Sequence, residues 1–320
     1  MRFRRSLRKA RKSGEIQPVL HPLHTSRIAR RRRGRFLGPV LAVAFLLAGG
    51  AACADWGAPV LQGHDDGHAQ AGPDRPQGQD RNQTREQRMA LARKWGLEQV
   101  PLVAPPPPKE KPPLTTPEWA DQGPGLIPVF SSVPTNEKIV FLTIDDGAAK
   151  DHSFLRMLRD LNIPVTAFLT DESAADDYGY FRDLHGLGAS IQNHTLHHPQ
   201  MITIPEDEEQ AEICGQQDIL QNEIGVRPWL FRPPFGDYDA STLIAAEDCG
   251  ARAAPLWNEE AFPGRIDWRE DDPHFHPGDI ILTHFNGPQA WNATMTDMLR
   301  TVLRAATEQG YALARLEDYV

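Results

Sequence analysis

The sequence is short of three things. It holds three cysteines in 320 residues, so no more than one disulfide can form within it. Its longest apolar run, residues 36–47, covers 12 positions, whereas a membrane-spanning helix needs about 20. Beyond its start it is also short of net positive charge. Residues 1–36 carry 13 Lys and Arg against the single acid Glu15, a balance of +12. The whole chain is −9, which leaves −21 for residues 37–320 once that +12 is set apart. A body this acidic offers no cationic face to phosphates, which excludes nucleic acid as a partner. The acid serves solubility instead. No internal repeat is visible.

The basic start has its own explanation. Arginines at 30–33 and Arg35 precede the apolar run, and Ala48-Gly49-Gly50-Ala51-Ala52-Cys53 follows it. Charge, apolar run and small residues in that order describe a signal peptide. Cys53 resembles a bacterial lipoprotein cleavage site, although Gly50 stands where Leu is usual. The stretch around Arg33-Gly34-Arg35 also resembles a twin-arginine signal one residue out of register. Residues 1–53 are therefore expected to be a basic region and signal peptide, and the protein to be secreted or anchored on the outer face of the membrane through a lipidated Cys53. Cys214 and Cys249 then remain as an even pair. In an oxidising compartment such a pair reads as a disulfide, with two buried thiols as the alternative.

Residues 54–135 read as a tether, rich in Gly, Gln, Asp, Arg and Pro and including Pro105-Pro106-Pro107-Pro108. Such a stretch has too little apolar surface to fold and favours extended polyproline II. One piece, 84–97, has the composition of a short helix. From Glu137 the pattern changes, so 136–320 is the expected folded domain. Short apolar runs recur at 139–144, 165–169, 189–192, 229–231, 252–256, 280–283 and 312–316. Helix-like segments at 154–161, 206–224, 239–249 and 294–309 lie between them. Strands alternating with helices predict an α/β fold with parallel strands. The count suggests a seven-unit barrel, one unit short of eight, with a doubly wound open sheet as the alternative.

Four groups of reactive residues follow these strands, where α/β folds place their sites. The first is Thr143-Ile144-Asp145-Asp146-Gly147. Side chains alternate along a strand, so one carboxylate can hold a metal while its neighbour faces a reacting water. The second is His194-Thr195-Leu196-His197-His198-Pro199. His194 and His198 are four apart, and one helical turn would put both on one face. Two imidazoles and a carboxylate suit Zn, with Co, Ni or Fe as substitutes. The third, Phe231-Arg232-Pro233-Pro234-Phe235-Gly236, stiffens a loop around Arg232, whose guanidinium fits a bidentate contact with Asp145. The fourth, Leu282-Thr283-His284, ends a strand with a His suited to general acid work. Any one of them alone would pass for a turn, a polar loop or a core histidine.

In this order the four groups resemble the polysaccharide deacetylase family, also called carbohydrate esterase family 4, over 136–320. The resemblance implies a distorted seven-unit (β/α) barrel. It implies Asp145 as catalytic base, Asp146, His194 and His198 as metal ligands, and Arg232 as the group orienting Asp145. It further implies the Phe235 N–H as oxyanion donor, Leu282 in the acetyl-methyl pocket and His284 as acid. The family's Asp-Trp motif, which supports the catalytic His, is out of place. The chain reads Trp257-Asn258-Glu259-Glu260 and only later Asp267-Trp268, so either Asp267 is displaced by an insertion or Glu259 or Glu260 substitutes. Ile144, Ala148 and Phe235 stand where Phe, Pro and Tyr are usual. Trp257, Trp268 and Phe285 are the candidates for stacking on sugar rings.

The implied activity is metal-dependent removal of N-acetyl groups from amino sugars of a chitin- or peptidoglycan-like polysaccharide, by a monomer, with Zn2+ as default and Co2+ or Ni2+ as substitutes. The alternatives are an O-acetyl esterase on xylan or another glycan, and a non-catalytic wall-binding protein with a decayed site.

Overall fold

The computed structural model describes residues 83–268 and 272–320. The signal segment, Cys53 and the first part of the expected tether lie outside the described residues. In chain order the elements are α1 (Arg85–Lys94), β1 (Val129–Phe130), β2 (Ile139–Asp146), α2 (His152–Leu161), β3 (Thr166–Leu169), α3 (Asp171–Ala174), α4 (Tyr178–Gly186), β4 (Ser190–Asn193), α5 (Glu206–Glu223), α6 (Ala240–Asp248), β5 (Ala254–Pro255), β6 (Glu259–Phe262), β7 (Arg265–Trp268), β8 (Ile280–His284), α7 (Pro288–Trp291), α8 (Met295–Gln309) and β9 (Ala312–Leu313).

β2 is central because seven of its eight residues are buried, the run expected of a strand covered on both faces. It pairs in parallel with β3, β8 and β9, and the main sheet runs β4-β3-β2-β8-β6-β7. The register sets Asp145 level with His284, and Thr143 level with Leu282. Helices cover the sheet with their apolar stripes. α2 buries Phe154, Leu155, Met157 and Leu158, starts at an Asp151 cap and ends at left-handed Asn162. α8 has a Thr294–Asp297 capping box and stops at Gly310, whose φ of 81° suits a glycine. α5 lacks a side-chain cap but has four acids in its first turn, which complement the helix dipole.

Two expectations need correction. The seven-unit barrel does not appear as seven regular parallel strands. The runs expected at 229–231 and 252–256 shrink to single bridges, Asn193 with Phe231 and Leu230 with Ala253, and to the two-residue β5, which pairs with β1. Pro228 and Pro233 flank the first run and Pro255 lies within the second, and proline cannot donate to a ladder. The sheet also gains an unexpected antiparallel strand, β7. The α/β fold with its parallel core stands.

The tether is also shorter than expected, because its second half is folded. α1 begins at a Thr84–Gln87 capping box, and Ala92 and Leu97 are buried in the main core. Ile127, Val129, Phe130 and Val133 are buried too. These apolar residues are too sparse to show a period, yet each fills a gap. Burying one such side chain contributes about 1.5–3 kcal/mol, enough to hold a chain that is already stiffened by proline.

Candidate active site

The site is built at the carboxyl end of β2. Asp145 and Arg232 are both buried, and Arg232 Nη1 donates to Asp145 Oδ1 at 2.8 Å and to Thr143 Oγ1 at 2.9 Å. Its Nε donates to the Pro255 carbonyl at 2.9 Å and its Nη2 to the Leu256 carbonyl at 3.3 Å. The expected bidentate contact with Asp145 is therefore a single one, because Nε and Nη2 go to backbone carbonyls at the end of β5 and just after it. The guanidinium also lies 4.3 Å over the Phe168 ring and 5.7 Å over Trp257. Burial pushes the Asp145 carboxyl above the usual carboxylate range, against the downward pull of Arg232. A carboxylate held out of water beside a fixed cation is a competent proton acceptor.

Asp146 has a left-handed backbone, φ 75°, and its carboxylate and that of Asp145 approach the same His194 Nε2, at 3.8 and 3.7 Å. Gly147 follows at φ 116°, where a Cβ would sit 3.1 Å from Phe181. Asp146 Oδ1 lies 3.8 Å from His194 Nε2 and 3.6 Å from His198 Nε2. Each of the three residues offers a ligand atom, all within 4.8 Å of one another. Neighbouring ligands around a tetrahedral zinc ion lie about 3.3 Å apart, so this set fits a small divalent ion. The His194 Nδ1 donates to the Arg232 carbonyl at 2.6 Å, which aims the free Nε2 at the cluster. Burial pushes this imidazole down to about 3, keeping it an unprotonated ligand.

The two histidines do not meet on a helical turn, as their spacing predicted. They sit on a loop in which Thr195 and His198 have φ of 72° and 55°. Asn193 Oδ1 accepts from the Thr195 N–H at 2.8 Å, and Thr195 Oγ1 accepts from the His198 N–H at 3.0 Å.

His284, the last residue of β8, points its Nδ1 at Glu260 Oε1, 3.4 Å away. Burial pushes the Glu260 carboxyl up, with His284 pulling the other way.

A sequence profile of the family described as polysaccharide deacetylase matches residues 132–254. An uncharacterised protein of Streptomyces coelicolor is 44% identical over 203 residues, covering 63% of this chain and 80% of that one. The chain belongs to the polysaccharide deacetylase family. The peptidoglycan-N-acetylglucosamine deacetylase of Bacillus cereus is 33% identical over 164 residues, 48% of this chain and 58% of that protein. In structure, this deacetylase fold is similar to that of a peptidoglycan N-acetylglucosamine deacetylase crystallised with a substituted N-hydroxybenzamide, at a TM-score of 0.51 and 23% identity, covering 60% of this chain and 92% of that one.

Within this family member the expected site residues divide. Asp145, Asp146, His194, His198 and Arg232 come together as described. Leu282 is buried two residues before His284 on the same strand face. Trp257 packs beside Arg232 and over Gly236, where a Cβ would come within 3.1 Å of its ring. Phe235 adopts φ 62°, and its ring lies 4.6 Å from that of His198. Asp267 does not support His284. It is exposed on β7, held by Arg265 at 2.9 and 3.1 Å, while its cross-strand partner Glu260 takes the place beside the imidazole. Trp268 and Phe285 are not placed for sugar stacking either. Trp268 packs on Phe275, and Phe285 is buried among Phe154, Tyr180 and Phe181.

A floor under the histidine loop escaped the sequence reading. Asn193 Nδ2 donates to the Ile213 carbonyl at 2.8 Å and to Gln217 Oε1 at 3.2 Å. Glu212 accepts from the His197 N–H at 2.8 Å and meets the His197 ring at 2.7 Å, which raises that imidazole's pKa. Gly215 lets Leu196 sit so close that a Cβ would lie 2.6 Å away. The Cys214–Cys249 disulfide ties this stretch of α5 to the end of α6, as the even pair suggested. The only local signal was Asn193 directly before His194.

Proposed function

We propose that this chain hydrolyses N-acetyl groups on amino sugars of a chitin- or peptidoglycan-like polysaccharide, releasing acetate in a metal-dependent reaction. The observation that carries the reading is the register. Asp145 and His284 face each other on adjacent strands, beside the cluster of Asp146, His194 and His198. A divalent ion held by those three residues, Zn2+ by default with Co2+ or Ni2+ as substitutes, would supply Lewis acidity and lower the pKa of water. Asp145 takes a proton from the attacking water, and Arg232 keeps the carboxylate aimed. The Phe235 N–H donates to the developing oxyanion. Leu282 covers the acetyl methyl. His284, steadied by Glu260, gives a proton to the departing amine, which is a poor leaving group without one. Relatives named as peptidoglycan and chitin deacetylases support this substrate class. The expected export signal and the Cys214–Cys249 bridge support action outside the cell.

The test is acetate release by the metal-loaded protein from chitin oligomers, peptidoglycan and acetylxylan, run side by side. Release from an N-acetylated glycan that stops on chelation is the expected result. Release from acetylxylan alone would make it an O-acetyl esterase, and no release from any of them would make it a binding protein.

A further inference from the structure

The strand that carries His284 is gripped by a threonine on each side. On one side Thr143 of β2 donates its Oγ1 to the Ile281 carbonyl of β8 at 2.7 Å. That hydroxyl has a second task, since it accepts from Arg232 Nη1. On the other side Thr283 of β8 donates its Oγ1 to the Ala261 carbonyl of β6 at 2.8 Å, and the proposed reaction leaves this hydroxyl unexplained. Thr283 is fully buried, on the strand face opposite His284. A buried hydroxyl costs free energy unless it is bonded, and valine has the same shape and needs no partner. The bond to Ala261 is therefore what distinguishes threonine from valine at this position.

Its place in the sheet gives that bond a use. β6 and β8 run parallel, with Glu259 level with Ile281 and Glu260 level with Leu282, and the paired register ends there. One residue further on, β6 is drawn the other way. Ala261 is paired with Ile266 of the antiparallel β7, Pro263 and Gly264 turn the chain, and the Gly264 N–H is tied to Thr301 Oγ1 of α8 at 2.8 Å. Thr283 joins the two strands at this level, between Leu282 and His284. Glu260 is level with Leu282 rather than with His284, so its carboxylate reaches forward along the sheet to come within 3.4 Å of the imidazole. The reach closes only while β6 and β8 keep their spacing beyond the end of their ladder. Both groups are partly exposed, so water competes for each of them once they part.

We propose that Thr283 is a positioning residue for the acid step: its hydroxyl holds β6 to β8 past their last register pair and so keeps Glu260 against His284. This rests on the deacetylase reading above, in which His284 protonates the leaving amine. Thr283 lies on the far face of the sheet from the imidazole and acts through Glu260.

The test uses the zinc-loaded full chain with two substrates, N-acetylglucosamine tetramer and 4-nitrophenyl acetate, whose nitrophenolate leaves without a proton. Thr283→Val should lower kcat for the tetramer about tenfold with KM held within about twofold, and should change the rate on the ester by about twofold or less. Thr283→Ser, which keeps the hydroxyl, should restore kcat. Glu260→Gln should cost little more once Thr283→Val is present, because the two act on one contact. An unchanged tetramer rate overturns the proposal. So does an equal loss on both substrates, which a general loosening of the sheet would give. Thr283→Ala takes the place of the valine variant where that one does not fold, with the same outcomes. If the unmodified chain releases no acetate from the tetramer, the deacetylase reading fails, and crystal structures of the unmodified and Thr283→Val chains decide the role of Thr283 separately. A separation of Glu260 from His284 that grows past about 4 Å supports it, and one that stays within that reach overturns it.

Discussion

The two halves of the site are built on opposite terms. The half containing Asp145, Arg232 and His194 is buried, and its hydrogen bonds reach β2, the end of β5 and the loop after it. The half containing His284 and Glu260 is about 27–30% exposed, joined by a 3.4 Å contact, and carried by a strand end and an edge hairpin. Charges that must keep their geometry are set in the core, where water cannot compete for them. The group that would protonate the leaving amine in the proposed reaction sits in the more exposed half.

Substitutions can break this comparison, and the largest effect should come from the buried half. Asp145→Asn should lower the rate about 10²–10⁴-fold while keeping the metal, whereas Asp146→Asn should lose metal first and recover partly when metal is in excess. Metal stoichiometry measured beside acetate release checks both, and the reverse pattern would swap the two roles.

Arg232→Met should destabilise the fold by about 3–5 kcal/mol in urea denaturation, since it strands the buried Asp145 charge. It should also move the acid limb of the pH–rate profile. Asp145 works as a carboxylate, and burial already holds its pKa above the ordinary value, so activity is lost as pH falls through that raised pKa. Without the pull of Arg232 the loss should begin at higher pH. An unshifted limb would mean that another group titrates there.

Replacing Cys214 and Cys249 together by Ser opens a 35-residue loop and should cost about 3–4 kcal/mol. Because Glu212, Ile213 and Gln217 flank the bridge, metal affinity measured by chelator competition should fall along with the melting temperature. A loss of stability with unchanged affinity would show that the floor holds without its clasp.

The smallest effects should lie in the exposed half, and they sharpen the correction at Asp267. Glu260→Gln should lower kcat about tenfold, whereas Asp267→Asn, which breaks only an exposed pair, should change it by about twofold or less. Steady-state kinetics of the two variants decide between them, and the opposite ranking would return the supporting role to Asp267.

Much of this was legible before any coordinates. β2, β3 and β8 announce themselves as apolar runs, and α2 and α8 as helix-like segments between them. The four reactive groups stand directly after these strands. Less visible were the burial of α1, which was read as a short helix within a tether, β1, which follows proline-rich sequence, and β7, whose four residues follow a two-residue turn. The support of His284 was open among three acids because side-chain alternation within a hairpin depends on its register, and the register depends on where Pro263 and Gly264 turn the chain.

The sequence by itself determined the parallel α/β core, the cysteine pair and the identity of the reactive residues, because hydrophobic runs, turn residues and ligand types are local properties. Only the tertiary structure decided how those residues meet. Left-handed backbone at Asp146, Thr195 and His198 accompanies the meeting of Asp146, His194 and His198 without a helix. Gln217 and Glu212, remote in sequence, accept hydrogen bonds from Asn193 and the His197 N–H and hold that loop in place. Parallel register levels Asp145 with His284 across 139 residues of chain. Each of these is a contact between distant segments, and its energy exists only once the core has brought those segments side by side.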